Sequence, residues 1–259
     1  MNFRISFLVF ALLALIGCQI RTESKAETVA SICEPVMYED SPLTHCIADP
    51  ARHAIAMDLA PKGSDRPYRS LKALADDLPD AGAVALAMNG GMYDGEGNPI
   101  GYYVEDGRRL AQLNENDGPG NFHLLPNGVF YGDSRSGWTV RETRAFGRTV
   151  TDRPDFATQS GPMLVIDGDL HPAFDPDGDS RKIRNAVGVD PAGRAHFVIT
   201  RAPVSFGKLA RFYRDVLGVR NALFLDGSVS QIWDPARGRM DAGPQIGPII
   251  VVRNQENGE

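Results

Sequence analysis

Four short strings combine glycine with side chains able to hold or cleave a polar ligand. They are Met-Asn-Gly-Gly-Met-Tyr-Asp (88–94), Gln-Ser-Gly-Pro (159–162), Arg-Asn-Ala-Val-Gly (184–188) and Leu-Asp-Gly-Ser-Val-Ser (225–230). Glycine lets the backbone take unusual angles and lets a ligand come close, which is the use expected of Gly91, Gly161 and Gly227. Asp226 brings a carboxylate that can act as general base or as nucleophile at a sugar's anomeric carbon; it also suits a plain turn before Gly227. Arg184 is a permanent cation whose planar fork fits phosphate oxygens, although its neighbours Arg181 and Lys182 are also what a surface ion-pair cluster would show. Asn89 can hydrogen-bond a sugar hydroxyl or acetamido group, or cap the Gly90-Gly91 turn. Ser160, Ser228 and Ser230 can bind phosphate or hydroxyl groups, or serve as ordinary turn residues.

Other chemistries find less support. Glu105 could supply a second carboxylate, but its place beside Asp106-Gly107 suggests a solvated hairpin face. His123 is the one histidine near such a string, and a partly buried structural role is expected for it. A Ser-His-Asp triad lacks its Gly-x-Ser-x-Gly elbow. The acidic loop 175–179 echoes the start of a calcium loop, but position 186, where a bidentate Glu would close it, is Ala. A structural calcium there stays open without being the expectation, and no other metal site is expected. Neither a P-loop nor a Gly-x-Gly-x-x-Gly opening a helix is present, so no cofactor is expected.

These strings need strands to hold them. Apolar runs at 83–88, 163–166, 186–189, 196–200, 222–225 and 246–252 read as strands, several ending in one of the four strings. Asp106-Gly107 between 102–104 and 109–113 is a two-residue hairpin signal. Pairs 128–131 with 138–143, and 45–47 with 54–59 around Asp49-Pro50, read as further hairpins. Ser70 caps a short amphipathic helix through 78. The segment 206–217 has apolar residues at 206, 209, 210, 213, 216 and 217 and predicts the clearest helix, closed by Gly218. The order lacks strict strand-helix alternation. It predicts one α+β domain, mixed but mostly antiparallel, over residues 31–259.

The ordered set of strings resembles the phosphodiester glycosidase family, one member of which removes N-acetylglucosamine from a phosphodiester on mannose. The matching residues are Asn89-Gly90-Gly91-Met92-Tyr93, Ser160-Gly161, Arg184-Asn185-Ala186-Val187-Gly188 and Asp226-Gly227-Ser228. A bacterial branch of exported proteins is more similar still, through 126–131 (Pro-Asn-Gly-Val-Phe-Tyr) and 157–162 (Ala-Thr-Gln-Ser-Gly-Pro). The resemblance covers roughly residues 53–252. It implies a hydrolase of glycosyl phosphodiesters or related envelope glycans, with Asp226 and Arg184 catalytic and Asn89, Gly91, Ser160, Gly161, Gly227 and Ser228 on the substrate. The alternative on the same scaffold is a carbohydrate-binding or envelope-assembly lipoprotein without catalysis. One departure stands out: better-known members read Asp-Gly-Gly-Gly-Ser, and here Val229 narrows the turn's freedom and is expected to alter the substrate.

The first residues read as a sorting signal. Arg4 precedes an apolar run, 7–16, too short for a membrane span of ~20 residues. Leu15-Ile16-Gly17-Cys18 resembles a bacterial lipobox, which implies cleavage after residue 17, a diacylglycerol on Cys18 and attachment to a membrane. Gln19 favours the outer membrane, facing the periplasm. Residues 18–30 are polar and aperiodic, as a flexible tether would be. Of three cysteines, Cys33 and Cys46 remain after Cys18, and in an oxidising compartment they are expected to pair. With 27 Lys plus Arg against 33 Asp plus Glu, a net charge of -6 gives no footprint for nucleic acid.

Overall fold

The computed structural model describes residues 30–133 and 136–255. The signal segment 1–17, the lipidation site Cys18 and nearly all of the tether 18–30 lie outside the described residues.

Three antiparallel sheets share one core. The largest runs Cys33–Tyr38, Ser41–Ala48, Ala195–Thr200, Asn185–Val189, Ala222–Phe224, Met163–Ile166, Asp169–Leu170 in spatial order. The second runs Arg239–Met240, Ile232–Asp234, Val84–Asn89, Ile249–Asn254, His53–Asp58. The third runs Arg108–Ala111, Tyr103–Glu105, Phe156–Ser160, Gly128–Asp133, Gly137–Glu142. The domain is α+β as expected, and every pairing among these strands is antiparallel.

The alternation of side chains along a strand explains the layering. In Val84–Asn89, Leu86 and Met88 point into a cluster with Phe197 and Leu223 of the largest sheet and Tyr103, Phe130 and Phe156 of the third. Ala87, which alternates with them, turns outward with Ile249 and Val251 against Leu71 and Leu74 of the Leu71–Asp77 helix, and Val84 joins it there because a register shift separates it from Leu86. The Phe206–Arg211 helix covers the outer face of the largest sheet through Leu209 and Ala210. The Thr143–Thr149 helix covers the third, with Phe146 on Val104, Val129 and Ala157. Because both faces are covered, the central strands read as continuous apolar runs instead of alternating ones.

Several expectations hold in detail. Ser70 caps its helix by accepting from the Ala73 amide. Asp106 and Gly107 take left-handed φ of 49° and 68° in the expected hairpin. Cys33 and Cys46 face each other across adjacent antiparallel strands, both buried, and form the disulfide.

Others need correction. The runs around Asp49-Pro50 do not form a hairpin. Ser41–Ala48 pairs within the largest sheet, whereas His53–Asp58 crosses to the edge of the second and pairs with Ile249–Asn254. The turn itself forms, with the Asp49 carbonyl accepting from the Arg52 and His53 amides. The long helix stops being α at Arg211 and continues as a π turn over Phe212–Val216. The wider turn rotates later positions, so Val216, on the apolar face of an ideal helix, is 54% exposed while Phe212 and Tyr213 stay buried. Thr143 starts a helix instead of ending a strand, because the Glu142 carboxylate accepts from the Arg144 and Ala145 amides. Glu105 is not on a solvated face: its carboxylate accepts from the Tyr103 hydroxyl and the Leu59 amide, and burial raises its pKa above the ordinary carboxylate value.

Candidate active site

The four glycine strings meet where strand ends from the three sheets come together. Strand Val84–Asn89 ends at Asn89, which is 1% exposed. Its amide nitrogen donates to the Asp226 carbonyl at 2.8 Å, and its Oδ1 accepts from the Gln231 amide at 2.9 Å and from Asn185 Nδ2 at 3.0 Å. Asn185 Oδ1 in turn accepts from Ser230 Oγ at 3.2 Å. Two buried asparagines thus fasten the turn at 226–231 to strands from two sheets. Asn89, a sugar ligand in the sequence reading, is engaged by the protein and does not line the cleft described next.

That turn presents Asp226 and Ser228. The Asp226 carboxylate caps the short helix Gly227–Val229, with Oδ1 accepting from the Ser228 amide at 3.2 Å and its hydroxyl at 2.6 Å. No described residue bonds Oδ2. Glycine at 227 is required by space: a Cβ there would sit 2.5 Å from the Phe224 ring and 3.3 Å from Arg184 Cα. The same contact packs the Asp226-Gly227 turn against the Arg184 backbone. Val229 packs outward with Leu71 and Trp233 and is absent from the cleft wall.

Arg184 is buried, 1% exposed. Its Nε donates to the Val204 carbonyl at 2.9 Å and its Nη2 to the Ser180 carbonyl at 2.8 Å. The guanidinium stacks on Phe206, with Cζ 3.6 Å from the ring centroid, and lies 5.4 Å from that of Phe224. Among the described residues no carboxylate forms an ion pair with it, and Nη1 makes no hydrogen bond. Burial without a counterion lowers its pKa to about 10.

Arg184, Asp226, Gly227 and Ser228 line one cleft of about 310 Å³, together with Tyr93, Phe122, His123, Lys182 and Phe224. Burial raises the Tyr93 pKa, and the nearby Asp226 charge raises it further. The ring is anchored where its hydroxyl donates to the Gln245 carbonyl. Among the described residues lining the cleft, Asp226 is the sole carboxylate, against Lys182 and Arg184 as cations.

The remaining sequence-derived site residues stand behind the walls. Gly91 donates its amide to Thr158 Oγ1 at 3.0 Å, and a Cβ there would fall 2.2 Å from the Gln159 carbonyl oxygen. Ser160 is fully buried. At Gly161 a Cβ would strike Asn127 Cβ at 2.7 Å and the Phe122 carbonyl at 2.8 Å, so its bareness seats the segment that carries Phe122 and His123. None of these residues is among those lining the cleft. The aromatic residues and Lys182 were not singled out from the sequence. Lys182, two residues before Arg184, was weighed only as a surface charge.

Fold and cleft together define an α+β protein with a buried, anion-seeking cation and one carboxylate set among aromatic rings. The sequence profile of the phosphodiester glycosidase family matches residues 82–234, more than half the chain, and the protein belongs to that family. It is 37% identical to the Escherichia coli (strain K12) protein described as "Uncharacterized protein YigE", over 172 residues that make up 66% of either chain. The fold is similar to that of the catalytic domain of zebrafish N-acetylglucosamine-1-phosphodiester alpha-N-acetylglucosaminidase auto-inhibited by its pro-peptide. That likeness has a TM-score of 0.60 at 14% identity over 86% of this chain and 82% of that one. A hypothetical protein from Synechocystis is similar at a TM-score of 0.54 and 15% identity, over 86% of this chain and 61% of the other.

Proposed function

We propose that the protein hydrolyses glycosyl phosphodiesters, or closely related glycans of the bacterial envelope. One observation carries this reading: Arg184 is a buried guanidinium without a carboxylate partner among the described residues, on the same cleft as Asp226. An uncompensated buried charge is costly, and a phosphate seated on Nη1, with Lys182 at the rim, would supply the missing anion. Tyr93, partly exposed on the cleft wall, offers a ring face for a sugar. Asp226 Oδ2 then stabilises the positive charge developing at the anomeric carbon. Most glycosidases need a second carboxyl group as an acid to protonate the leaving oxygen. A departing phosphate is already a stable anion, so a single carboxylate fits this leaving group.

The binding-only alternative rests on the same lone carboxylate, because a protein that holds a sugar phosphate needs no second one either. Turnover assays on glycosyl phosphodiesters separate the two. Asp226→Asn keeps shape and removes charge, and is expected to lower kcat about 1000-fold with little change in KM. Binding of sugar 1-phosphates without turnover by the unaltered protein would favour the binder.

The lipobox-like Leu15-Ile16-Gly17-Cys18 supports placing the protein on the bacterial envelope, tethered by lipid at Cys18 to the outer membrane and facing the periplasm. Cys18→Ala is expected to move it from the membrane to the soluble fraction. An intact mass showing cleavage elsewhere without an acyl group would refute the anchor.

A further inference from the structure

Hydrolysis in this cleft calls for a group to take the proton of the attacking water, and one imidazole, that of His123, lies on its wall. His123 Nδ1 lies 2.7 Å from the Asn116 carbonyl oxygen. A carbonyl only accepts, so Nδ1 carries the hydrogen, and the neutral ring keeps its lone pair on Nε2. Nε2 has no hydrogen-bond partner among the described residues. The ring is fixed by Phe122, edge-on at 5.0 Å between centroids, and by Gly118, where a Cβ would sit 2.8 Å from Cδ2 and 3.0 Å from Nε2. Any other residue at 118 would crowd the free nitrogen. His123 shares the cleft wall with Asp226, Arg184, Lys182 and Tyr93, which are the charged and titratable groups brought to it by other elements. Glu115 and Asp117 belong to its own segment.

Resting on the reading of the cleft as a glycosyl phosphodiester site, we propose that His123 is the general base of hydrolysis. A water O–H bond breaks and its proton moves to Nε2. The water oxygen forms a bond to the anomeric carbon as the bond from that carbon to the phosphate oxygen breaks, and the electron pair leaves with the phosphate. Asp226 stays ionised and faces the developing positive charge, and Arg184 holds the departing anion.

His123→Asn is the discriminating variant, because the amide nitrogen of Asn can stand in for Nδ1 and keep the bond to Asn116 while nothing replaces Nε2. The expected result is an unchanged melting temperature, binding of a sugar 1-phosphate within about 2-fold, and kcat/KM lowered about 100-fold or more. The acid limb of the kcat/KM profile between about pH 4 and 9 should also vanish. Wild-type rate and profile in His123→Asn would overturn the proposal and leave the cleft reading intact. If His123→Asn melts early, His123→Gln, with its amide at the Nε2 position, takes its place, and an acid limb that persists there would equally overturn the proposal. Absence of turnover in the unaltered protein across a panel of glycosyl phosphodiesters would remove the functional reading and this proposal with it.

Discussion

Asn89→Ala is the sharpest test of how the site is built. The sequence reading makes Asn89 a substrate ligand, whereas the structure makes it a fastener. The substitution removes three hydrogen bonds, to the Asp226 carbonyl and from the Gln231 amide and Asn185 Nδ2. Asn185 keeps a second acceptor in the Asn89 carbonyl at 3.0 Å, so its loss is small. The Gln231 amide loses its acceptor in a buried place, at a cost of about 1–3 kcal/mol, and the bond to Asp226 adds about 1 kcal/mol. The expected destabilisation is therefore about 2–4 kcal/mol. With a urea m-value of about 2–3 kcal/mol/M, the unfolding midpoint should fall by about 1 M. Equilibrium urea unfolding followed by tryptophan fluorescence measures this directly. Sugar-phosphate binding, measured at a urea-free temperature well below the melt, should weaken only to the extent that the 226–231 turn loosens. A variant as stable as the parent that binds ligand far more weakly would refute the reasoning and restore Asn89 as a ligand.

Reducing the Cys33–Cys46 disulfide, with 13 residues of sequence separation, should cost roughly 3 kcal/mol in the chain-entropy description, seen as a lower unfolding midpoint under reductant with sugar-phosphate affinity unchanged. Acid should destabilise the fold through the buried pair His45 and His196, whose ring nitrogens lie 2.9 Å apart while His196 Nε2 meets Asp190 at 3.1 Å. Burial, and then the neighbouring His196, lower the His45 pKa to about 4, and burial lowers that of His196. The unfolded chain takes up these protons first. The stability contributed by the neutral rings is therefore complete above about pH 6.5 and is lost as pH falls toward 4, by about 2–3 kcal/mol from His45. Melting temperatures across that range check it, and His45→Phe should flatten the slope. Arg184→Ala should weaken phosphate-bearing ligands about 10- to 100-fold more than neutral sugars, as read by calorimetry.

The sequence shows those parts of the fold whose signals are local. Ser70 announces a helix start, Asp106-Gly107 a tight hairpin, and the runs at 83–88 and 246–252 buried strands, because caps, turns and burial leave their marks within a few residues. Which strands pair does not leave such a mark: 41–48 and 53–58 are adjacent in the chain and apolar alike, yet they enter different sheets. The π turn at Phe212–Val216 is equally silent, since its apolar spacing reads as α until Tyr213 donates its hydroxyl to the Ala186 carbonyl. At the site, the glycine strings mark where strand ends gather. Strings alone do not separate residues that face the cleft, Arg184, Asp226 and Ser228, from those that brace it, Asn89, Gly91, Ser160 and Gly161. That difference is made by contacts between positions far apart in the chain. His123 went unvalued for the same reason, because its partner Asn116 and its neighbour Gly118 give no sequence signal of a fixed tautomer.

The place of strand Ile249–Asn254 bears on when the protein can fold. It lies between Val84–Asn89 and His53–Asp58 and pairs with both. A chain delivered from its N-terminus exposes those two strands early and cannot join them until residues 249–254 have emerged. Closing so long a loop is entropically costly, so the second sheet, and the asparagine fastener at its end, is completed by contacts of long sequence separation. The turn that carries Asp226 and Ser228 into the cleft is therefore braced by Asn89, at the end of a strand whose own sheet closes only across this long separation.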